Sequence, residues 1–177
     1  MELRKLVLAS QAGDMDSYIR LIRQKEAVIY RVARVYTRNS FDAEDCVSEA
    51  VLLAYDRIRQ LRNADKFYVW FLSILINLCR KKYRFSTREL EYIPEVHDGL
   101  EDDLVHTAEN LLLVENILTH LKSHEREILV LRYLKDFSLE ETAEMLGIPE
   151  GTVKSRLNRT IAKIKWRYGR LFSNEIG

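Results

Sequence analysis

The stretch from Phe137 to Ile164, FSLEETAEMLGIPEGTVKSRLNRTIAKI, restricts this chain more than any other. It holds two short helical patterns broken at Gly147-Ile148-Pro149-Glu150-Gly151. Ser138 with Glu141 three residues later reads as a capping box that opens the first helix. Gly147 suits a left-handed cap that closes it, and Pro149 suits the first turn of the second. The first helix is acidic and apolar (Glu140, Glu141, Ala143, Met145, Leu146), whereas the second carries Lys154, Arg156, Arg159 and Lys163. A scaffold helix, a tight turn and a basic second helix are the plan of a helix-turn-helix that reads the DNA major groove. In the second helix Val153, Leu157, Ile161 and Ile164 recur on one face, and Lys154, Ser155, Asn158 and Arg159 on another. Arg or Lys pairs with guanine edges and Asn with adenine. Thr152, Arg156 and Lys163 flank that face and suit phosphates.

The chain before this stretch is also helical. Leu3 to Ala12 reads as a short helix ended by Gly13. Asp14 or Asp16 caps a long one, with Tyr18, Leu21, Ile22, Ile29, Val32, Ala33 and Tyr36 at three- and four-residue steps. Asn39-Ser40 ends it. A third helix follows, capped by Ser40 or Asp42, with Ala43, Val47, Ala50, Val51, Ala54 and Ile58 inward. Arg59 to Asp65 is a polar loop, and Asp65 caps a fourth helix, KFYVWFLSILINLCRKKYR. Its inner face takes Phe67, Trp70, Phe71, Ile74, Leu75 and Leu78. Ser73, Asn77, Arg80, Lys81 and Arg84 form a polar stripe suited to phosphates. Near Thr107 a second helical unit begins, with Leu111, Leu112, Val114, Ile117, Leu118 and Leu121 inward, and Ser123 capping its next helix.

Composition agrees with an all-α reading. The 177 residues hold only 6 Gly and 2 Pro, too few for a fold built on many turns. No apolar run reaches the length of a membrane span, and the N-terminus lacks the apolar core of a signal peptide, so a cytoplasmic protein without membrane contact of its own is expected. Net charge is +1, which says less than its distribution. Seven bases face two acids over 150–177, five bases and no acid lie in 80–88, and seven acids and no base lie in 89–103. Two basic surfaces joined by an acidic tether are expected: a domain over 1–86, a linker over 87–106, which extended would reach roughly 65 Å, and a domain over 107–177. Cys46 and Cys79 form no CxxC and read as buried reduced thiols. There is no Gly-rich phosphate loop, no GxSxG and no metal-ligand cluster, so neither enzyme, cofactor nor metal is expected.

Two stretches, in order, carry a family resemblance. FDAEDCVSEAVLLAY followed by FYVWFLSILINLCRKKYR resembles regions 2.2 to 2.4 of bacterial sigma factors of the sigma-70 class. LKSHEREILVLRYLKDFSLEETAEMLGIPEGTVKSRLNRTIAKIK resembles their region 4. Two domains without region 1.1 or region 3 resemble the extracytoplasmic-function (ECF) group. The resemblance implies a factor that binds core RNA polymerase and directs initiation at −10/−35 promoters, opening the −10 strands. It implies that Asp42, Glu44, Asp45, Val47 and Glu49, with Cys46, dock on the clamp helices of the β′ subunit. Arg62, Asn63, Ala64, Asp65 and Lys66 would capture a base flipped from the −10 element, a step that costs a few kcal/mol. Asn77, Arg80, Lys81 and Arg84 would face −10 DNA, and Lys154, Ser155, Asn158 and Arg159 the −35 element. The second domain would also bind the β flap, the acidic linker would pass near the RNA exit path, and an anti-sigma protein would be a further partner. The chain departs from the family in three places. Leu121-Lys122-Ser123 stands where Leu-Pro is usual, Leu75-Ile76 stands where Ala-Arg is common, and Cys46 replaces a usual Leu. Ile76 thus removes a positive charge from the −10 helix.

Plainer readings compete at several residues. Phe67, Trp70 and Phe71 read as core at helical spacing rather than melting aromatics, leaving Tyr68 as the candidate exposed stacking residue. Glu140 and Glu141 are explained by capping, and Ser123 separates His120 from His124. Two other functions remain open from residues alone. A self-sufficient helix-turn-helix regulator would bind a palindrome as a dimer, and a purely protein-binding helical module would be indifferent to Arg159→Ala.

Overall fold

The computed structural model describes residues 2–37, 39–82, 117, 120–133 and 137–172. Arg84, the linker 87–106 and the inward positions expected at Leu111, Leu112, Val114 and Leu118 lie outside the described residues. Among the described residues the secondary structure is α-helix with two 3₁₀ turns and no strand. The helices are α1 (Glu2–Gln11), α2 (Met15–Gln24), α3 (Glu26–Tyr36), α4 (Ser40–Arg57), α5 (Phe67–Lys82), α6 (Ser123–Tyr133), α7 (Leu139–Leu146) and α8 (Glu150–Phe172).

Local chemistry sets most boundaries. Asp14 caps α2, accepting from the Asp16 N–H at 3.1 Å and the Ser17 hydroxyl at 2.5 Å. The long helix expected after it is two, because the chain bends at Lys25 (φ −128°, ψ 23°) between α2 and α3. The apolar period runs through that bend unbroken, which is why the sequence does not betray it. Asn39, not Ser40 or Asp42, caps α4 by accepting from the Asp42 N–H at 2.7 Å. Likewise Asn63, not Asp65, is the cap ahead of α5. It accepts from the Asp65 N–H at 3.0 Å and opens a 3₁₀ turn over Ala64–Lys66. Asparagine carries the same side-chain acceptor as aspartate, so a rule that favours the acid can settle on the wrong neighbour. Ser123 lies inside α6. The carboxylate of Glu125 returns to the Lys122 N–H at 2.8 Å and performs the capping instead.

α3, α4 and α5 pack together, with α1 and α2 against one end. Phe67, Phe71 and Leu75 of α5 and Ala43, Cys46, Ala50 and Ala54 of α4 are wholly buried. The small residues on α4 let the two helices approach. Cys46 and Cys79 are both wholly buried, as expected, and meet across that contact with Cα atoms 6.1 Å apart, within the span a disulfide bridges. Thirty-three residues of separation conceal a contact that only the helix packing creates. The second unit packs α6, α7 and α8 around Ile128, Leu131, Met145, Leu146 and Val153.

The two units share one core. α7 packs on α5, and α6 packs on α3. The apolar cluster runs without interruption from Phe71, Leu72 and Ile76 to Ile128, Met145 and Leu146. Fully burying one such side chain contributes about 1.5–3 kcal/mol, so this is a substantial contact.

Candidate nucleic-acid interface

The helix-turn-helix is built as its sequence dictates. The Ser138 Oγ accepts from the Glu141 N–H at 3.0 Å, and the Glu141 carboxylate accepts from the Ser138 N–H at 2.7 Å. Gly147 closes α7 in the left-handed region at φ +67°, with the Ile148 N–H reaching the Ala143 carbonyl at 3.1 Å. Pro149 stands just before α8 rather than within it, its carbonyl accepting from the Thr152 and Val153 N–H groups at 2.9 and 3.1 Å. Val153 is fully buried, which fixes the rotation of α8. That rotation leaves Lys154, Ser155, Asn158 and Arg159 all exposed. Arg159 donates to the Ser155 carbonyl at 3.2 Å and so lies along the helix surface.

The flanking residues fare differently. Thr152 and Arg156 are half-buried. Lys163 bonds the Glu125 carboxylate of α6 at 2.8 Å, which ties α8 to α6. Burial raises the Glu125 pKa, but Lys163, the Lys122 N–H and nearby positive charge outweigh it and hold the carboxyl below its ordinary value.

On α5 the polar stripe is divided. Asn77 and Lys81 are exposed. Arg80 is not free. Its Nε and one terminal nitrogen donate to Glu127 of α6 at 3.1 and 2.9 Å, and the other donates to the Leu146 carbonyl at the end of α7, at 3.2 Å. Lys66 bonds Glu144 of α7 at 2.6 Å, and that partner raises its pKa. Ile76 is fully buried. Tyr68, expected to be exposed, is half-buried, because its ring packs edge-on against Phe67. Its hydroxyl donates to the Leu21 carbonyl at 3.0 Å and lies 3.1 Å from Gln24 Oε1.

The loop holding Arg62, Asn63 and Asp65 borders a cavity of about 160 Å³. Its other wall is α1, through Arg4, Leu8 and Gln11. Gln11 donates to the Ile58 and Leu61 carbonyls at 2.9 and 2.8 Å and so fixes the loop against α1. Sequence reading missed these three residues. No local signal marks them, because the loop that Gln11 meets lies 47 to 50 residues further along the chain. The cavity is smaller than a drug-sized site of roughly 300–1,000 Å³. It has an apolar wall in Leu8 and Leu61, amide and carboxylate groups in Asn63 and Asp65, and guanidinium groups in Arg4 and Arg62.

α4 presents a third surface. Glu44, Asp45 and Glu49 are exposed, and Asp42 and Val47 are half-buried. Asp45 and Glu49 both bond Lys82 of α5 at 2.6 Å, and the two carboxylates raise its pKa. Phe41 and Leu52 project at 77% and 69% exposure. They share a stripe with Asp45 and Ser48, so the face combines acids with unburied apolar groups. Among the described residues no group of three His, Cys, Asp or Glu could hold a metal ion. No helix among them is long and apolar enough to cross a membrane.

Two family models match the chain. Sigma-70 region 2 covers residues 21–89, and Sigma-70 region 4 covers 111–164. The chain is 30% identical over 164 residues to the ECF RNA polymerase sigma factor SigM of Mycobacterium tuberculosis, a match spanning 90% of this chain and 81% of that one. It is 30% identical over 173 residues to the ECF RNA polymerase sigma factor SigW of Bacillus subtilis, across 90% and 92% of the two chains. Among solved structures it is similar in fold to CnrH in complex with the cytosolic domain of CnrY, at a TM-score of 0.71 and 22% identity, over 96% of this chain and 99% of that one. It is similar also to the sigma factor RpoE in complex with the anti-sigma factor NepR from Bartonella quintana, at a TM-score of 0.62 and 20% identity, over 82% and 94%.

Proposed function

This chain belongs to the sigma-70 family, in its extracytoplasmic-function group, and we propose how its residues divide the work of a sigma factor between promoter and polymerase. As a member, it binds core RNA polymerase and directs initiation at promoters by recognising −10 and −35 elements. The observation that carries the residue-level reading is the exposed face of α8. Buried Val153 aims Lys154, Ser155, Asn158 and Arg159 outward together, with donors suited to base edges. These four read the −35 element, with Thr152 and Arg156 at the adjacent phosphates. Lys163 stabilises the helix pair through Glu125.

The domain over 1–86 takes polymerase and the −10 element. The acids and the Phe41–Leu52 stripe of α4 dock on the β′ clamp helices, a mixed polar and apolar contact of the kind stable interfaces use. Asn77, Arg80, Lys81 and Arg84 lie along −10 DNA. The cavity beside Arg62, Asn63 and Asp65 receives the extruded base, with Leu8 as a stacking wall and Arg4 and Arg62 near its phosphates. Tyr68 positions the start of α5 through its bond to Leu21 rather than stacking on DNA. The domain over 107–177 binds the β flap as well as the −35 element, and 87–106 spans between the two. The protein is a non-catalytic cytoplasmic factor. An anti-sigma protein is a further partner, a reading supported by the complex with an anti-sigma factor in which one protein of similar fold was solved.

Run-off transcription with purified core polymerase tests this reading. Addition of the protein gives specific starts on a genomic template. If no specific start appears on any template, the reading fails.

A further inference from the structure

We propose that the far end of α8 makes a second contact with promoter DNA: Trp166, with Lys165 and Arg167 beside it, takes the sugar–phosphate wall of the −35 major groove beyond the bases that the helix reads. The inference rests on the assignment of Lys154, Ser155, Asn158 and Arg159 to the −35 element made above.

Three observations converge. Trp166 is 88% exposed, more than any other large apolar side chain among the described residues. Tryptophan is ordinarily well covered, and an aromatic ring left in water beside arginine marks a contact surface. The core of its own unit is built without it, since Val153 and Thr160 are buried and Leu157, Ile164 and Tyr168 half-buried on the opposite side of α8. The register of the reading face also leads to it. Trp166 stands two helical turns after Arg159 and three after Ser155, and Lys165 stands in the same relation to Asn158 and Lys154. No Pro or Gly interrupts 152–168, and Lys163 holds this part of α8 to Glu125 at 2.8 Å, so the direction is kept. Charge then selects the partner. After Glu150, α8 carries no acid as far as Phe172, and Lys165 and Arg167 are both exposed. Such a surface fits a polyanion rather than an apolar protein patch.

Length decides which part of the DNA is met. At 1.5 Å per residue Trp166 lies roughly 16 Å along the axis from Ser155, whereas the major groove is about 12 Å wide. A straight helix whose first turns meet base edges has reached the groove wall by then, where the phosphates stand. The indole N–H donates and cannot accept, and a phosphate oxygen is its complement. Phosphate contacts fix position and carry no sequence information. Trp166 thus sets how firmly α8 is seated, and the four residues before it set which bases are read.

The test uses holoenzyme, reconstituted from core polymerase and the full chain, with a fluorescent duplex carrying a promoter mapped by run-off transcription. Trp166→Ala, at an exposed site where circular dichroism shows the fold intact, weakens binding about tenfold, the loss of one hydrogen bond to a charged group. The loss is the same on every point-substituted −35 sequence, and the slope of log affinity against log salt is unchanged because no charge is removed. Lys165→Gln lowers that slope by about one. Replacing the phosphates flanking the −35 element one at a time by neutral methylphosphonates finds a position that costs the parent and not the Trp166→Ala chain. Unchanged affinity of Trp166→Ala, a loss confined to one −35 base pair, or the lack of such a phosphate overturns the proposal. So does an equal loss of affinity for core polymerase without DNA, which makes the partner a protein. Arg159→Ala is measured on the same duplex. If it weakens binding and Trp166→Ala does not, only the Trp166 contact falls; if neither does, the −35 reading falls with it.

Discussion

Gly147 and Gly151 lie four residues apart in the turn of the helix-turn-helix, and the same substitution at each has opposite effects. A Cβ added at either residue meets nothing within 4 Å, so steric clash plays no part and backbone conformation decides. Gly147 sits at φ +67°, where an L-residue costs about 1–2 kcal/mol. Gly151 lies inside α8 with no positive φ, where alanine restricts the unfolded chain and stabilises by about 0.4–1 kcal/mol. Gly147→Ala therefore lowers stability by about 1–2 kcal/mol, and Gly147→Asn by less, because asparagine tolerates the left-handed region. Gly151→Ala raises it. Urea unfolding of the full chain, followed by far-ultraviolet circular dichroism, reads each change as a shift in midpoint at constant slope. At roughly 2–4 °C per kcal/mol for a chain of this size the shifts also separate in a thermal scan. A neutral Gly147→Ala, or a Gly151→Ala as damaging as Gly147→Ala, would refute the argument that conformation alone sets the sign.

Other expectations follow from named contacts. Arg159→Ala costs about 1–3 kcal/mol at one −35 position and little elsewhere, read by binding of holoenzyme to a panel of point-substituted promoters. Lys163→Ala instead lowers stability with no position-specific loss on that panel, since its partner is Glu125. Asp45→Arg weakens binding to core polymerase while the helical spectrum is unchanged; equal affinity for core would remove Asp45 from the docking face. Burial pushes the Tyr68 hydroxyl up to about 12 from 10.0. A raised pKa means that the fold favours the neutral phenol, so this contribution is intact below pH 10 and is lost as pH rises toward 12. Tyr68→Phe removes that part of the alkaline decline, measured by unfolding at a series of pH values.

The helix-turn-helix was legible because local signals decide it. The Ser138–Glu141 box, the left-handed Gly147 and the outward face of α8 each depend on residues within a turn or two of one another. The helices of the first domain were legible from apolar period, and their inner faces at Ala43, Ala50, Phe71 and Leu75 are buried as the spacing requires. What escaped was set by distant residues. The Tyr68 hydroxyl is held by Leu21 and Gln24, 47 and 44 residues earlier in the chain. Leu8 and Gln11 join a loop fifty residues away, and Cys46 meets Cys79 only through packing. The fate of Arg80 depended on Glu127, and no periodicity within either helix could show that two basic and acidic faces meet. The bend at Lys25 was hidden for the opposite reason, since both sides of it continue the same apolar rhythm.

The double burial of α5 also bears on what the first domain would show to solvent by itself. One side of this helix rests on α3 and α4, and the other is covered by α7. When the units part, Ile76 and its neighbours lose that cover and offer water an apolar strip on an otherwise finished domain. A strip of this kind attracts other chains and proteases. Whatever covers that strip again, α7 or another apolar surface, stabilises the first domain by the area it removes from water.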